Sequence, residues 1–183
     1  MGKNQKPNDI IGRNGKKKYK NGTYIPLNKD KYIGDLTKVY YRSSWELRFM
    51  QYLDVTSEIL RWSCEEIKIP YRETDGSYHT YYPDFYFERV DKNNPQRFDR
   101  VVIEIKPRKD RVMPKEPEKF TPIKLESYEY QLKMYQKNLY KWSRATDFCK
   151  KNGMKFYIMD EFDLMKYGIL EKPKKKYYKK KKK

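Results

Sequence analysis

Glu104 and Lys106 stand two residues apart in a segment, residues 100–106, that alternates between apolar and polar side chains as β-strands do. Side chains at positions i and i+2 of a strand point to the same face. A carboxylate and an amine are therefore expected side by side on one rigid element. The opposite face of this strand is predicted to be apolar and to contain Val101, Ile103 and Ile105.

Two further carboxylates stand where neighbouring elements could bring them close to this pair. Asp84 follows Pro83 at a point where a strand starts or bends, and pairing of that strand with residues 100–106 would place Asp84 near Glu104. Glu46 lies at the start of a helix that could pack across the sheet. Since Ser43 precedes Glu46 by three residues, Glu46 also fits a capping box, and either role needs the same helix start.

These residue types suit the hydrolysis of a phosphodiester bond. Two or three carboxylates, here Asp84, Glu104 and Glu46, can hold a hard cation such as Mg²⁺, with Mn²⁺ as an alternative. Such a metal activates a bound water and polarises the phosphate. A free lysine is protonated at neutral pH and is a poor base. Lys106 is therefore expected to stabilise charge and position water.

Simpler interpretations exist for the same residues. Glu104 and Lys106 could form an ordinary exposed ion pair, which contributes about 0–1 kcal/mol, and Asp84 could be a turn residue.

Periodicity and turn signals predict the elements that must position these residues. In chain order they are a helix from Ser43–Ser44 to about 54–57, strands at 66–72 and 78–90 (the second interrupted near Pro83), a strand at 100–106, a loop at 107–122, a helix from about 123 to 151, a strand at 155–159 and a short helix at 161–167. The order αβββαβ predicts an α/β fold with a mixed central sheet flanked by helices.

The second long helix carries an apolar stripe at alternating spacings of three and four residues. Its members are Leu125, Tyr128, Leu132, Tyr135, Leu139 and Trp142. Tyr135 is therefore a candidate for core packing as well as for a functional role, and Gln131 flanks the stripe.

Charge divides the chain into a nearly balanced body and two basic tails. The chain has 43 Lys and Arg against 25 Asp and Glu, a net charge of +18. Residues 1–22 are predicted to be a flexible basic tail, 23–171 a single domain, and 172–183 a tail rich in Lys and Tyr. Nucleic acid is the favoured polyanionic partner; a solubilising role, an acidic protein or a membrane surface are alternatives. The candidate DNA-binding lysines are Lys16, Lys17, Lys18, Lys20, Lys174, Lys175, Lys176, Lys179 and Lys180.

Composition argues against several other classes of protein. The sequence has neither an apolar run of transmembrane length nor a secretory signal, so no membrane association is expected. Cys64 and Cys149 are too few for a disulfide framework and favour a reducing compartment. His79 is the only histidine, which excludes a zinc site built on several histidines and argues against a Ser-His-Asp triad.

The ordered set Glu46, Pro83-Asp84 and Glu104-Ile105-Lys106 resembles the signature of PD-(D/E)XK nucleases. The resemblance implies a restriction-endonuclease-like core, with Glu46, Asp84 and Glu104 as metal ligands and Lys106 as a catalytic residue. The segment from Gln131 to Tyr135 resembles the QxxxY element of RecB-like members. That likeness implies that Gln131 and Tyr135 position DNA or the active site.

A closer resemblance, over about residues 40–162, is to the head completion nucleases of tailed phages and, through them, to the nuclease domain of the transposon endonuclease TnsA. It is carried by residues 44–50, 59–71, 104–107, 141–142 and 155–158. It implies a Mg²⁺-dependent endonuclease that cuts double-stranded DNA in phage head completion. The expected location is the virion head or neck, and the host cytoplasm during assembly.

The same resemblance implies partners among head, neck or portal proteins, while the oligomeric state stays open. Two alternatives remain at this point: a non-catalytic DNA-binding protein of the head or neck, and a TnsA-like recombination subunit.

Overall fold

A computed structural model of the chain describes residues 8–11, 17–73, 76–91 and 93–171. Near its N-terminal end, an antiparallel three-stranded sheet contains β1 (Asn8–Ile11), β2 (Lys17–Thr23) and β3 (Tyr40–Tyr41). Part of the predicted N-terminal tail is thus paired strand, because backbone pairing does not require neutral side chains. The rest of that range and the tail at 172–183 lie outside the described residues.

The first long helix, α1 (Ser44–Val55), begins where the sequence predicts. The Ser43 hydroxyl oxygen accepts the backbone N–H of Glu46 at 3.2 Å, which satisfies one of the free donors of the first turn. The helix ends at Val55, within the predicted range, and Thr56 caps it. Its buried face is largely apolar and includes Phe49, Met50 and Leu53.

The remaining elements comprise a four-stranded central sheet and the helices and hairpin around it. In chain order they are β4 (Ile59–Cys64), β5 (Ile69–Arg72), β6 (Tyr78–Tyr81), β7 (Phe85–Asp91), β8 (Asn94–Ile105), α2 (Pro122–Lys151), β9 (Lys155–Met159) and α3 (Glu161–Lys166). The sheet has the order β4-β7-β8-β9, with β8 and β9 parallel and the other pairs antiparallel. The mixed sheet flanked by helices agrees with the predicted fold class.

One predicted strand belongs elsewhere. The prediction placed residues 66–72 in the central sheet, but β5 and β6 pair with each other in a separate hairpin. The strand that fills the place in the central sheet is β4, which sequence analysis missed. Buried and exposed residues do not alternate regularly along β4, because Trp62, Ser63 and Cys64 are all buried in succession. The order αβββαβ therefore holds for the central sheet, with β4 as its first strand.

The two faces of the central sheet support two separate cores. On one face, Val101, Ile103 and Ile105 of β8 join the cluster that contains Phe49 and Leu53 of α1. On the other face, α2 packs against the β5–β6 hairpin and β9. This second cluster includes Ile69, Tyr71, Tyr81, Trp142, Ala145, Phe156 and Ile158. The strand at 100–106 thus has the predicted apolar face.

The apolar stripe of α2 is covered over part of its length. The buried residues of the helix are Asn138, Trp142, Ala145 and Cys149, all in its second half. Leu125 and Leu139 are 38% and 44% exposed. A helix of 30 residues spans about 45 Å, whereas the five-residue β9 spans about 17 Å. β9 is too short to lie along the whole of α2, and packing along the whole stripe is not observed. Within the described residues, no helix has the length and apolarity that crossing a membrane requires.

The uneven burial predicts unequal effects of two comparable substitutions. Phe49 is 2% exposed, and its ring centroid lies 4.8 Å from that of Phe85. Phe49→Ala is expected to lower the free energy of unfolding by about 3–5 kcal/mol, because it leaves a cavity. Leu125→Ala, on the exposed part of α2, should change it by less than about 1 kcal/mol. Urea denaturation of both variants measures the difference. Equal losses would mean that the first half of α2 is packed.

Candidate active site

The pairing of β7 with β8 brings Asp84 to Glu104. Phe85 pairs with Ile103, so continuing the antiparallel register by one position places Asp84 opposite Glu104. The Oδ2 atom of Asp84 accepts the backbone N–H of Ile105 at 2.7 Å. Pro83 interrupts the strand just before this point, as the sequence predicts. Asp84 follows it and turns toward the end of β8.

Glu104 lies on the face of β8 that looks toward α2 and the β5–β6 hairpin. It is 8% exposed, and its Oε2 atom accepts a hydrogen bond from the Tyr81 hydroxyl at 2.7 Å. The Nζ atom of Lys106 lies 3.9 Å from the Oε1 atom of Glu104. The backbone N–H of Lys106 donates to the carbonyl of Met159 at 2.9 Å, which extends the pairing of β8 with β9 past Glu104.

Glu46 approaches from α1 and is engaged as a helix cap. Its Oε1 atom accepts the Ser43 hydroxyl at 2.8 Å, and its Oε2 atom accepts the backbone N–H of Arg42 at 2.7 Å. The predicted pairing of Ser43 with Glu46 is therefore present. The backbone N–H that the Glu46 carboxylate accepts, however, belongs to Arg42 and not to Ser43. The negative charge of Glu46 nevertheless raises the pKa of both Asp84 and Glu104.

Burial and mutual repulsion disfavour the charged forms of the two inner carboxylates. Burial raises the pKa of Asp84 well above its ordinary value, and the charges of Glu104 and Glu46 raise it further. Burial also raises the pKa of Glu104, while the Tyr81 hydroxyl and the Lys106 ammonium oppose that shift. A cation at this position would relieve both effects.

The donor atoms fit a cation that takes part of its coordination from water or substrate. The Oδ1 atom of Asp84 and the Oε1 atom of Glu104 accept no hydrogen bond from the residues that the structure describes. Among those residues, no group of three His, Cys, Asp or Glu side chains converges closely enough to hold a metal alone. Mg²⁺ is commonly held by one or two carboxylates, with waters and phosphate oxygens completing its shell. Asp84 and Glu104 meet that requirement, while both oxygens of Glu46 already accept a hydrogen bond.

The candidate residues on α2 precede the part of the helix that contacts Tyr81. Gln131 is exposed, and its amide donates to the Ser127 hydroxyl one turn earlier at 3.1 Å. Tyr135 is partly buried. Lys141, the α2 residue that reaches the Tyr81 ring, lies ten positions after Gln131, or about 15 Å along the helix axis. Of the candidate lysines, Lys17, Lys18 and Lys20 are in β2, and the others are outside the described residues.

Sequence reasoning missed two side chains next to the carboxylates. Tyr81 holds Glu104, and the Nζ atom of Lys141 lies 5.5 Å from the centroid of the Tyr81 ring. Tyr81 is one of 19 tyrosines, and its position three residues before Asp84 was the available signal. Lys141 precedes Trp142 on the buried side of α2, but its neighbour in space belongs to a strand 60 residues earlier. No local pattern indicates that contact.

Comparison with known proteins now decides the family. A family model described as the TnsA-like endonuclease N-terminal domain matches residues 56–161. The chain belongs to the TnsA-like endonuclease family. The matched range of the TnsA-like domain contains Asp84, Glu104 and Lys106, whereas Glu46 precedes it.

A curated relative of this TnsA-like chain is similar over most of its length. The head completion nuclease of Enterobacteria phage T4 is 33% identical over 149 residues, which cover 81% of this chain and 95% of the relative. The predicted resemblance to TnsA-like and head completion nucleases is confirmed, and the fold is restriction-endonuclease-like. No solved structure gives a significant match.

The raised pKa of Asp84 predicts a distinctive pH dependence of stability. The folded chain keeps a proton that the unfolded chain releases, so without metal its stability falls as pH rises above about 4, the ordinary range for a carboxyl group. Asp84→Asn cannot ionise but can still accept the N–H of Ile105. In EDTA it should therefore be more stable than the natural chain near neutral pH, and the difference should vanish near about pH 4.

Asp99 provides a control of opposite sign. Its hydrogen bond from Lys155, at 2.7 Å, lowers its pKa, so Asp99→Asn should be less stable than the natural chain at neutral pH. Thermal unfolding of both variants across pH measures the two effects. A loss of stability in Asp84→Asn at neutral pH would contradict the electrostatic account of the site.

Proposed function

We propose that this chain is a metal-dependent DNA endonuclease of the PD-(D/E)XK type that acts in phage head completion. The observation that carries the proposal is the meeting of Asp84, Glu104 and Lys106 at the end of β8, in a chain of an endonuclease family. The name of the phage relative supports the biological role. Double-stranded DNA is the proposed substrate, and head, neck or portal proteins are the proposed partners.

Each residue of the cluster has a distinct proposed task. Asp84 is fixed by the N–H of Ile105, and Glu104 is fixed by Tyr81, so one oxygen of each stays available to a cation. A bound Mg²⁺ or Mn²⁺ would activate a water molecule and polarise the phosphate. Lys106 places an ammonium group beside Glu104, where it can stabilise negative charge on the attacking or leaving oxygen.

Glu46 has a less direct proposed role. In its capping position it adds negative charge to the region, which favours cation binding without supplying a ligand. Ligation by Glu46 would use a remaining lone pair of an oxygen that already accepts a hydrogen bond from Arg42 or Ser43. The proposed roles of Gln131 and Tyr135 in positioning DNA would require the DNA to extend along α2, since Gln131 lies about 15 Å along the helix from Lys141.

Removing one carboxylate charge should abolish cleavage but spare DNA binding. Glu104→Gln retains an oxygen that can accept the Tyr81 hydroxyl, but it loses the charge that a cation requires. We expect cleavage of supercoiled plasmid in Mg²⁺ or Mn²⁺ to fall by at least about 100-fold, the scale typical for loss of a key electrostatic group. EDTA should abolish cleavage by the natural chain.

Glu126→Gln is the matched control, because Glu126 is exposed on the first half of α2. It should cleave like the natural chain. Normal cleavage by Glu104→Gln would show that the site is wrongly assigned. Tight DNA binding by the natural chain without cleavage in either metal would favour the structural DNA-binding alternative.

The C-terminal tail should contribute to affinity rather than to chemistry. Residues 172–183 contain nine lysines and no acidic residue. Their deletion should weaken DNA binding and flatten the dependence of log K on log salt by about 0.9 for each lost phosphate contact. Replacing the nine lysines with glutamine separates charge from chain length. An unchanged salt slope would assign the tail to another partner.

A further inference from the structure

We propose that Lys141 of α2 is a second substrate-binding cation of the active site and contacts a phosphate of the DNA at or next to the cleaved bond. The inference rests on the proposed nuclease function and extends it. It assigns a residue outside the Asp84, Glu104 and Lys106 cluster to the reaction.

The fold places Lys141 firmly on the Glu104 side of the sheet. Trp142 and Ala145 are 7% and 0% exposed and pack with Tyr81, which fixes the rotation of α2 around its axis. The Nζ atom of Lys141 lies 5.5 Å from the centroid of the Tyr81 ring, and the hydroxyl of that ring donates to Glu104. One aromatic side chain therefore contacts both the proposed metal ligand and the Lys141 ammonium.

The charge of Lys141 is not matched within the described part of the chain. There, no carboxylate lies within 4.0 Å of its Nζ atom, whereas Lys137 pairs with Glu73 at 2.7 Å and Lys106 lies 3.9 Å from Glu104. Lys141 is also partly buried, and this burial lowers its pKa, with Lys137 adding repulsion. A partly buried ammonium without a close counter-ion is costly for folding alone.

A phosphate is the anion that best suits this position. The Glu104 charge attracts Lys141 without a direct contact, so the ammonium stays beside the acidic cluster with its donors available. DNA bound against Asp84 and Glu104 would bring phosphates close to Lys106 and Lys141. These two ammonium groups would also offset repulsion between the carboxylates and the DNA backbone.

A purely structural role makes a different prediction. If Lys141 served to cover the Tyr81 ring, replacing it with methionine would preserve most of the packing and leave cleavage unchanged. If Lys141 contacts phosphate, the same replacement would impair the reaction while the fold remains intact. The distinction requires a rate measurement together with affinity and stability.

The experiment compares Lys141→Met, Lys141→Arg and Lys150→Met in the full chain. Lys150 is exposed on the same helix and lies outside the Gln131–Tyr135 segment, so its variant controls for the loss of one positive charge. Single-turnover cleavage of linear duplex in Mg²⁺ gives the rate, and binding to the same duplex in Ca²⁺ gives the affinity. Thermal unfolding checks that each variant is folded.

We expect Lys141→Met to cleave about 100-fold more slowly, with a much smaller loss of affinity and no loss of thermal stability. Lys141→Arg should recover part of the rate, and Lys150→Met should behave like the natural chain. Normal cleavage by Lys141→Met, or an equal loss in Lys150→Met, would overturn the inference alone. An inactive natural chain would instead overturn the proposed function, and the role of Lys141 with it.

Discussion

The antiparallel register between β7 and β8 is the constraint on which the site depends. With Phe85 opposite Ile103, Asp84 falls beside the end of β8, where the N–H of Ile105 holds it at 2.7 Å. A shift of one residue would turn Glu104 to the opposite face and remove it from Tyr81. β8 resists such a shift, because it would move its apolar residues away from α1 and place the Glu104 carboxylate in that apolar core instead. The same burial that stabilises the sheet therefore fixes the geometry of the carboxylates.

The site combines a rigid frame with unfavourable electrostatics. Asp84 and Glu104 are fixed by one hydrogen bond each, although burial and the neighbouring negative charge disfavour their ionised forms. Such unfavourable interactions are common in ligand-binding sites, because the arrangement that suits function differs from the one that is most stable. The two cores have different roles. The core on the α1 side stabilises the sheet, and the core on the α2 side brings Tyr81 and Lys141 close to Glu104.

Local features of the sequence were sufficient to predict much of this arrangement. The cap at Ser43, the break at Pro83 and the alternation around Glu104 depend on near neighbours along the chain, and the structure agrees with all three. Features set by distant contacts were not predictable in this way. The pairing of β5 with β6 outside the central sheet, the exposure of the first half of α2, and the contacts of Tyr81 and Lys141 depend on which surfaces meet after folding.

We propose that Asp84 and Glu104 together bind a divalent cation. A crystal of the protein soaked in Mn²⁺ and measured at a wavelength where manganese scatters anomalously would locate the ion directly. We expect an anomalous peak within bonding distance of one oxygen of Asp84 and one oxygen of Glu104, and no such peak in Asp84→Asn. A peak at another position, or none at a Mn²⁺ concentration that supports cleavage in solution, would contradict it.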